Sequence, residues 1–159
     1  MPRYLLGSQC LVDIAKGIDL APQRWLRDAG DRGIDGSDIY ISAVTPMILG
    51  ANFEAAPKSP TNQRLRENVE KLVQRYVAAN LVAPITKDIA DEWGKILPLD
   101  LTHRQSSGVE KAYTFHEKLV FATAIAGIDG RAFTLVERRQ KAHNDLAVMG
   151  LVIEDPYQV

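Results

Sequence analysis

The chain has 159 residues, 46% of them hydrophobic and 25% charged, which fits one globular domain (1–159) with its own core and leaves little room for a second. A formal net charge of −1 excludes a global attraction to nucleic acid, so any polyanion binding must rest on a local basic patch. The single cysteine excludes an internal disulfide, and no stretch approaches the ~20 apolar residues of a membrane span, so the expectation is a cytoplasmic protein with no membrane partner.

Tyr4, Leu5 and Leu6 form a short apolar run closed by Gly7, Ser8 and Gln9, and read as an opening strand. Leu11 to Lys16 suits a helix ended by Gly17, with Cys10 a packed thiol beside Leu11 and Val12. Ala21 to Ala29 suits another, with Pro22 in its first turn and Gly30 after its end. Asp28 to Asp38, rich in glycine and aspartate, reads as a solvated loop. Ile39 to Ile41 is a second strand, and Ser42 or Thr45 is expected to cap the helix that follows through Met47, Ile48 and Leu49.

A break at Ala56 to Pro60 precedes an amphipathic helix over Thr61 to Asn80. Leu65, Val69, Leu72, Val73 and Tyr76 share one face of it, and Arg64, Arg66, Lys71 and Arg75 are spread over the rest. Those cations are either a solvated face or a surface for nucleic acid or a partner. Leu81 to Ile85 reads as a strand ending at Thr86, and Lys87 to Ile96 as a helix with Ile89, Trp93 and Ile96 at helical spacing, Trp93 being a core anchor.

Leu97 to Ser107 reads as a polar loop. Neither His103 within it nor His116 beyond it has a second histidine at metal-ligand spacing. The run Leu119 to Ala126 suits a buried helix, and Phe133 to Val136 a core strand that delivers Glu137, Arg138 and Arg139 to the rim of a ligand crevice. Arg138 to Met149 reads as a helix stopped by Gly150, and Leu151 to Ile153 as a last strand. Short apolar strands alternating with helices give an α/β fold, a central parallel sheet with helices on both faces.

Several motifs, in order, resemble the PIN domain, and within it the VapC-like toxins of type II toxin–antitoxin pairs. The segment from Tyr4 to Asp13 is similar to the family's opening strand and turn, and Ile41 to Leu49 to its Ser-x-x-Thr-x-x-Glu-Leu motif. Pro84 to Gly94 resembles a strand and a helix bearing Ala-x-x-Trp, while Glu117 to Ala124 is similar to an Asp-x-Leu-Ile-Ala-Ala-Thr-Ala helix. Thr134 to Arg139 resembles the strand end Leu-Val-Thr-Arg-Asn, and Leu151 to Pro156 the closing Val-x-Asn-Pro strand.

The resemblance implies a ribonuclease ancestry, with one or two Mg²⁺ or Mn²⁺ ions held by acids at four positions. Those positions read Gly7, Ile48, Glu117 and Arg139, so Glu117 is the one retained acid. Mg²⁺ is usually held by one or two carboxylates with substrate phosphates, and a guanidinium ~5 Å from the ion opposes each unit of its charge by roughly 3 kcal/mol at an effective dielectric of 20. Asp13 and Glu137, and more remotely Asp100 and Asp145, are candidate substitute carboxylates. The alternative for Glu117 is a boundary carboxylate paired with Arg139 or Lys118. Arg139 could instead grip phosphate directly.

The expectation is a degenerate metal site on a binding or regulatory module, whose partner is RNA, an antitoxin-like protein or a second copy in a homodimer. The alternative is an active Mg²⁺- or Mn²⁺-dependent endoribonuclease toxin.

Overall fold

A computed structural model describes residues 2–158. The strands are β1 (Arg3–Leu6), β2 (Ile39–Ser42), β3 (Val82–Ala83), β4 (Thr102–Arg104), β5 (Glu110–Ala112), β6 (Phe133–Val136) and β7 (Val152–Glu154). The helices are α1 (Ser8–Ala15), α2 (Ala21–Arg27), α3 (Thr45–Ala55), α4 (Pro60–Ala78), α5 (Lys87–Ile96), α6 (Phe115–Ala126) and α7 (Lys141–Leu146). Five strands form a parallel sheet in the order β3-β2-β1-β6-β7, the α/β architecture expected from the alternating pattern.

Residues alternate across a pleated strand, so each strand of this sheet feeds two cores. Leu5, Phe133 and Leu135 pack with Ile89 and Ile96 of α5 and with Leu119, Val120 and Phe121 of α6. Tyr4, Leu6, Ile39, Ile41 and Val136 face the other way, onto Leu11 and Ile14 of α1, Trp25 of α2, and Val69, Val73 and Tyr76 of α4. Burial on both faces is what makes the strand sequences near-continuous apolar runs.

Side-chain caps fix several helix starts. Ser59 Oγ accepts from Asn62 N at 3.1 Å, Thr86 Oγ1 from Ile89 N at 3.3 Å, and Thr114 opens α6 with a capping box. After α6 the chain turns at Gly127, whose φ is +67°. A Cβ there would lie 1.7 Å from Arg131 O, so only glycine fits.

Several expectations need correction. Neither Ser42 nor Thr45 caps α3: Val44 holds the N-cap position without a side-chain cap, and Ser42 Oγ accepts from Val44 N at 3.2 Å. Helix α1 starts at Ser8, ahead of the expected Leu11, since its first turn needs only an extended residue at Gly7. The third strand shrinks from Leu81–Ile85 to two residues. Leu97 to Ser107 is not wholly a loop, because Thr102–Arg104 pairs antiparallel with Glu110–Ala112 in a polar hairpin that lacks an apolar alternation.

The last helix begins at Lys141 rather than Arg138. Gln140 takes the N-cap position, its N–H donating to His143 Nδ1 at 2.8 Å, and a 3₁₀ turn over Ala147–Met149 closes the segment before Gly150. Trp93 is only half-buried against the core, with Nε1 donating to Phe115 O at 2.8 Å. Cys10 is fully buried, as expected.

Candidate functional site

From β1 the chain moves outward to β2 and β3, then returns to place β6 on the opposite side of β1. The strand order reverses between β1 and β6, and ligands of open α/β sheets bind beyond the carboxyl ends of the strands at such a reversal. Two of the candidate positions meet there. Leu6 is in register with Val136, and Gly7 N donates to Val136 O at 2.9 Å, which sets Gly7 beside Glu137.

Gly7 has φ −69° and ψ 161°, open to any residue. What a side chain would meet there is Glu137: a Cβ would stand 3.0 Å from its Oε1 and 3.2 Å from its Cβ and Cγ. The Glu137 side chain therefore lies across the space that a larger residue at position 7 would enter. Its other oxygen, Oε2, sits 2.8 Å from His143 Nε2. Because His143 Nδ1 accepts from Gln140 N–H, the imidazole proton resides on Nε2, beside the carboxylate. Both atoms are buried, and neither makes a well-aligned hydrogen bond to any described residue. The imidazole is fully enclosed, its ring meeting the edge of Phe121 at 5.4 Å between centroids.

His143 is the site residue that sequence reading missed. His103 and His116 drew attention, yet His103 lies against the Tyr113 ring at 4.6 Å and His116 is exposed. A signal was present in the six-residue spacing from Glu137 across a helix start, but nothing in a linear pattern says that such a pair closes up.

Glu117, half-buried at the first turn of α6, is engaged locally. Its Oε1 accepts from Thr114 N at 3.2 Å, while Thr114 Oγ1 accepts from Glu117 N at 3.1 Å. Neither expected ion pair forms. Lys118 is buried and donates to Leu97 O at 3.0 Å and Leu99 O at 2.7 Å, neutralising the carbonyl-rich end of α5. Arg139 turns toward α7 and β7: its backbone N donates to Asp155 Oδ2 at 2.9 Å, and its guanidinium to Asn144 Oδ1 at 3.2 Å and Ile153 O at 3.3 Å. Ile48 is half-buried and packs into the α5–α6 core.

Asp13 is buried. Its Oδ1 accepts from Gln9 Nε2 and Lys16 Nζ, both at 3.1 Å, and its Oδ2 from the Tyr157 hydroxyl. The Arg138 guanidinium lies 3.9 Å over the Tyr157 ring. Burial, with the nearby Cys10 and Asp13, pushes the Tyr157 hydroxyl far above its usual range. Burial and the Glu137 charge do the same to the Cys10 thiol, and burial followed by Glu137 and Glu117 to the Tyr113 hydroxyl, so Tyr113 lies within the field of both glutamates. Asp100 and Asp145 are exposed. No group of three or more His, Cys, Asp and Glu among the described residues could hold a metal ion. A cleft of about 520 Å³ between α3 and α4, lined by Phe53, Pro57, Asn62, Arg66 and Glu67, includes none of these carboxylates.

The fold is shared with solved structures at low sequence identity. A chain in the structure of FitAB bound to an IR36 DNA fragment is similar with a TM-score of 0.63 and 16% identity, over 98% of this chain and 96% of that one. FitAcB from Neisseria gonorrhoeae gives 0.60 and 16%, over 98% and 99%. VapBC-5 from Mycobacterium tuberculosis, a member of the VapBC family of toxin–antitoxin systems, gives 0.53 and 15%, over 97% and 98%. No protein-family profile and no curated protein matches the chain.

Proposed function

We propose that the chain is a VapC-like PIN-domain protein whose metal centre has been dismantled, and that it serves as a binding or regulatory module. The observation that carries this reading is the fate of the carboxylates at the strand reversal. Glu137 lies across Gly7 and faces His143, Glu117 is held in a capping box, and Asp13 is engaged by Tyr157, Lys16 and Gln9. Divalent ions of the Mg²⁺ class need oxygens free to converge with room for water, and this donor set does not fit one. An antitoxin-like protein is the partner the fold neighbours favour, since they include a toxin–antitoxin system. RNA and self-association remain further partners of the same module.

The test is calorimetry with Mn²⁺ beside a cleavage assay on structured and single-stranded RNA. The expected outcome is no ion bound at millimolar concentration and no cleavage. Metal-dependent cleavage that disappears in Glu117→Gln would replace this reading with that of an active endoribonuclease.

A further inference from the structure

The basic residues of α4 divide into two groups. Arg66, on the side of α3, is held by Glu54 at 2.7 Å and Glu70 at 3.5 Å. Arg64, Lys71 and Arg75 are exposed and make no ion pair, hydrogen bond or ring contact with any described residue. Elsewhere, Lys111 and Lys141 alone among the described lysines and arginines share that condition.

At 3.6 residues per turn, the positions of Arg64, Lys71 and Arg75 form one stripe about 145° around the axis from the buried Val69, Val73 and Tyr76. Glu67 is the nearest carboxylate on the helix and pairs with none of the three. With a rise of 1.5 Å per residue the stripe runs about 16 Å, a length over which one strand of a duplex carries about five phosphates. In a chain of net charge −1, three cations in line without an ion-pair contact, with Glu67 the one carboxylate of the helix beside them, leave a net positive local field.

We propose that this stripe binds the phosphate backbone of duplex nucleic acid without reading its sequence. A single strand is the less suited ligand, because the exposed residues of α4 include no aromatic ring on which bases could stack. The ligand chemistry is a regularly spaced phosphodiester rail, from structured RNA or from DNA. The inference goes beyond the module proposed above and stands or falls independently of Mn²⁺ binding.

The experiment is fluorescence anisotropy with the full chain and labelled ~20-bp RNA duplex, ~20-bp DNA duplex and single-stranded RNA of the same length, titrated between about 50 and 200 mM salt. Three neutralised phosphates predict a log–log slope of about −2.7, hence an affinity loss of about 40-fold across that range. Binding to either duplex should vanish in the exposed triple variant Arg64→Glu/Lys71→Glu/Arg75→Glu, whose fold is checked by circular dichroism. It should persist in Lys111→Glu/Lys141→Glu. The RNA and DNA arms identify the source of the rail. No duplex binding at low salt, tighter binding to the single strand, equal loss in the two variants, or preferential binding of an acidic peptide would overturn the proposal.

Discussion

The contact between Gly7 and Glu137 can be measured as a coupling. Gly7→Ala introduces no backbone strain at φ −69° and ψ 161°, but its new Cβ meets Glu137 at 3.0–3.2 Å, inside the ~3.5–4.0 Å of normal carbon contacts. Overpacking of this kind costs about 1–3 kcal/mol. Losing glycine at an N-cap costs roughly 0.5–1 kcal/mol more, and the smaller entropy of the unfolded alanine chain offsets a similar amount, so the clash should dominate. Glu137→Gly removes the side chain entirely; alanine would leave the Cβ that itself stands at 3.2 Å. In that background Gly7→Ala should be close to neutral. The cost of exposing His143 Nε2 is common to both legs of the cycle and cancels. Urea midpoints of the four proteins should yield a coupling of about 1–2 kcal/mol. Additivity within about 0.5 kcal/mol would refute the placement of Glu137 over Gly7.

Three further outcomes are expected. Lys118→Met removes both donors to Leu97 O and Leu99 O and should destabilise the protein by roughly 2–4 kcal/mol in the same urea assay, with α5 the first element to lose amide-exchange protection. Glu117→Gln keeps a side-chain acceptor for the capping box and should leave stability within about 0.5 kcal/mol, whereas Glu117→Ala should cost about 0.5–1 kcal/mol; a large loss in Gln would mean that the charge itself has a structural role. Burial pushes the Tyr76 hydroxyl up to about 12 from 10.0. Its contribution to stability is therefore complete below pH 10 and is lost, by on the order of 2 kcal/mol, as pH rises toward 12. Tyr76→Phe should flatten that alkaline decline, read by denaturation at stepped pH.

The sheet was legible in sequence because strands buried on both faces are near-continuous apolar runs, as Tyr4–Leu6, Ile39–Ile41 and, Thr134 apart, Phe133–Val136 are. Helices α4 and α5 were legible by periodicity, while the caps that start them, Ser59 and Thr86, emerge only in the structure. The hairpin over residues 102–112 was not, since polar, mostly exposed strands carry no alternation. Within the site, the sequence, through its parallel-sheet pattern and the family resemblance together, set Gly7 and the residues after Val136 at one rim. It could not say that Glu137 folds over Gly7, that His143 closes on Glu137, or that Lys118 and Arg139 turn away from Glu117.

Local composition thus determined which segments become strands and helices and which strand ends share an edge, because burial and periodicity act on neighbours in sequence. Only the tertiary structure decided the pairing of the charged groups. A carboxylate takes whichever donor the packing brings within about 3 Å, and His143 and Tyr157 reach Glu137 and Asp13 through contacts that the order of residues does not encode.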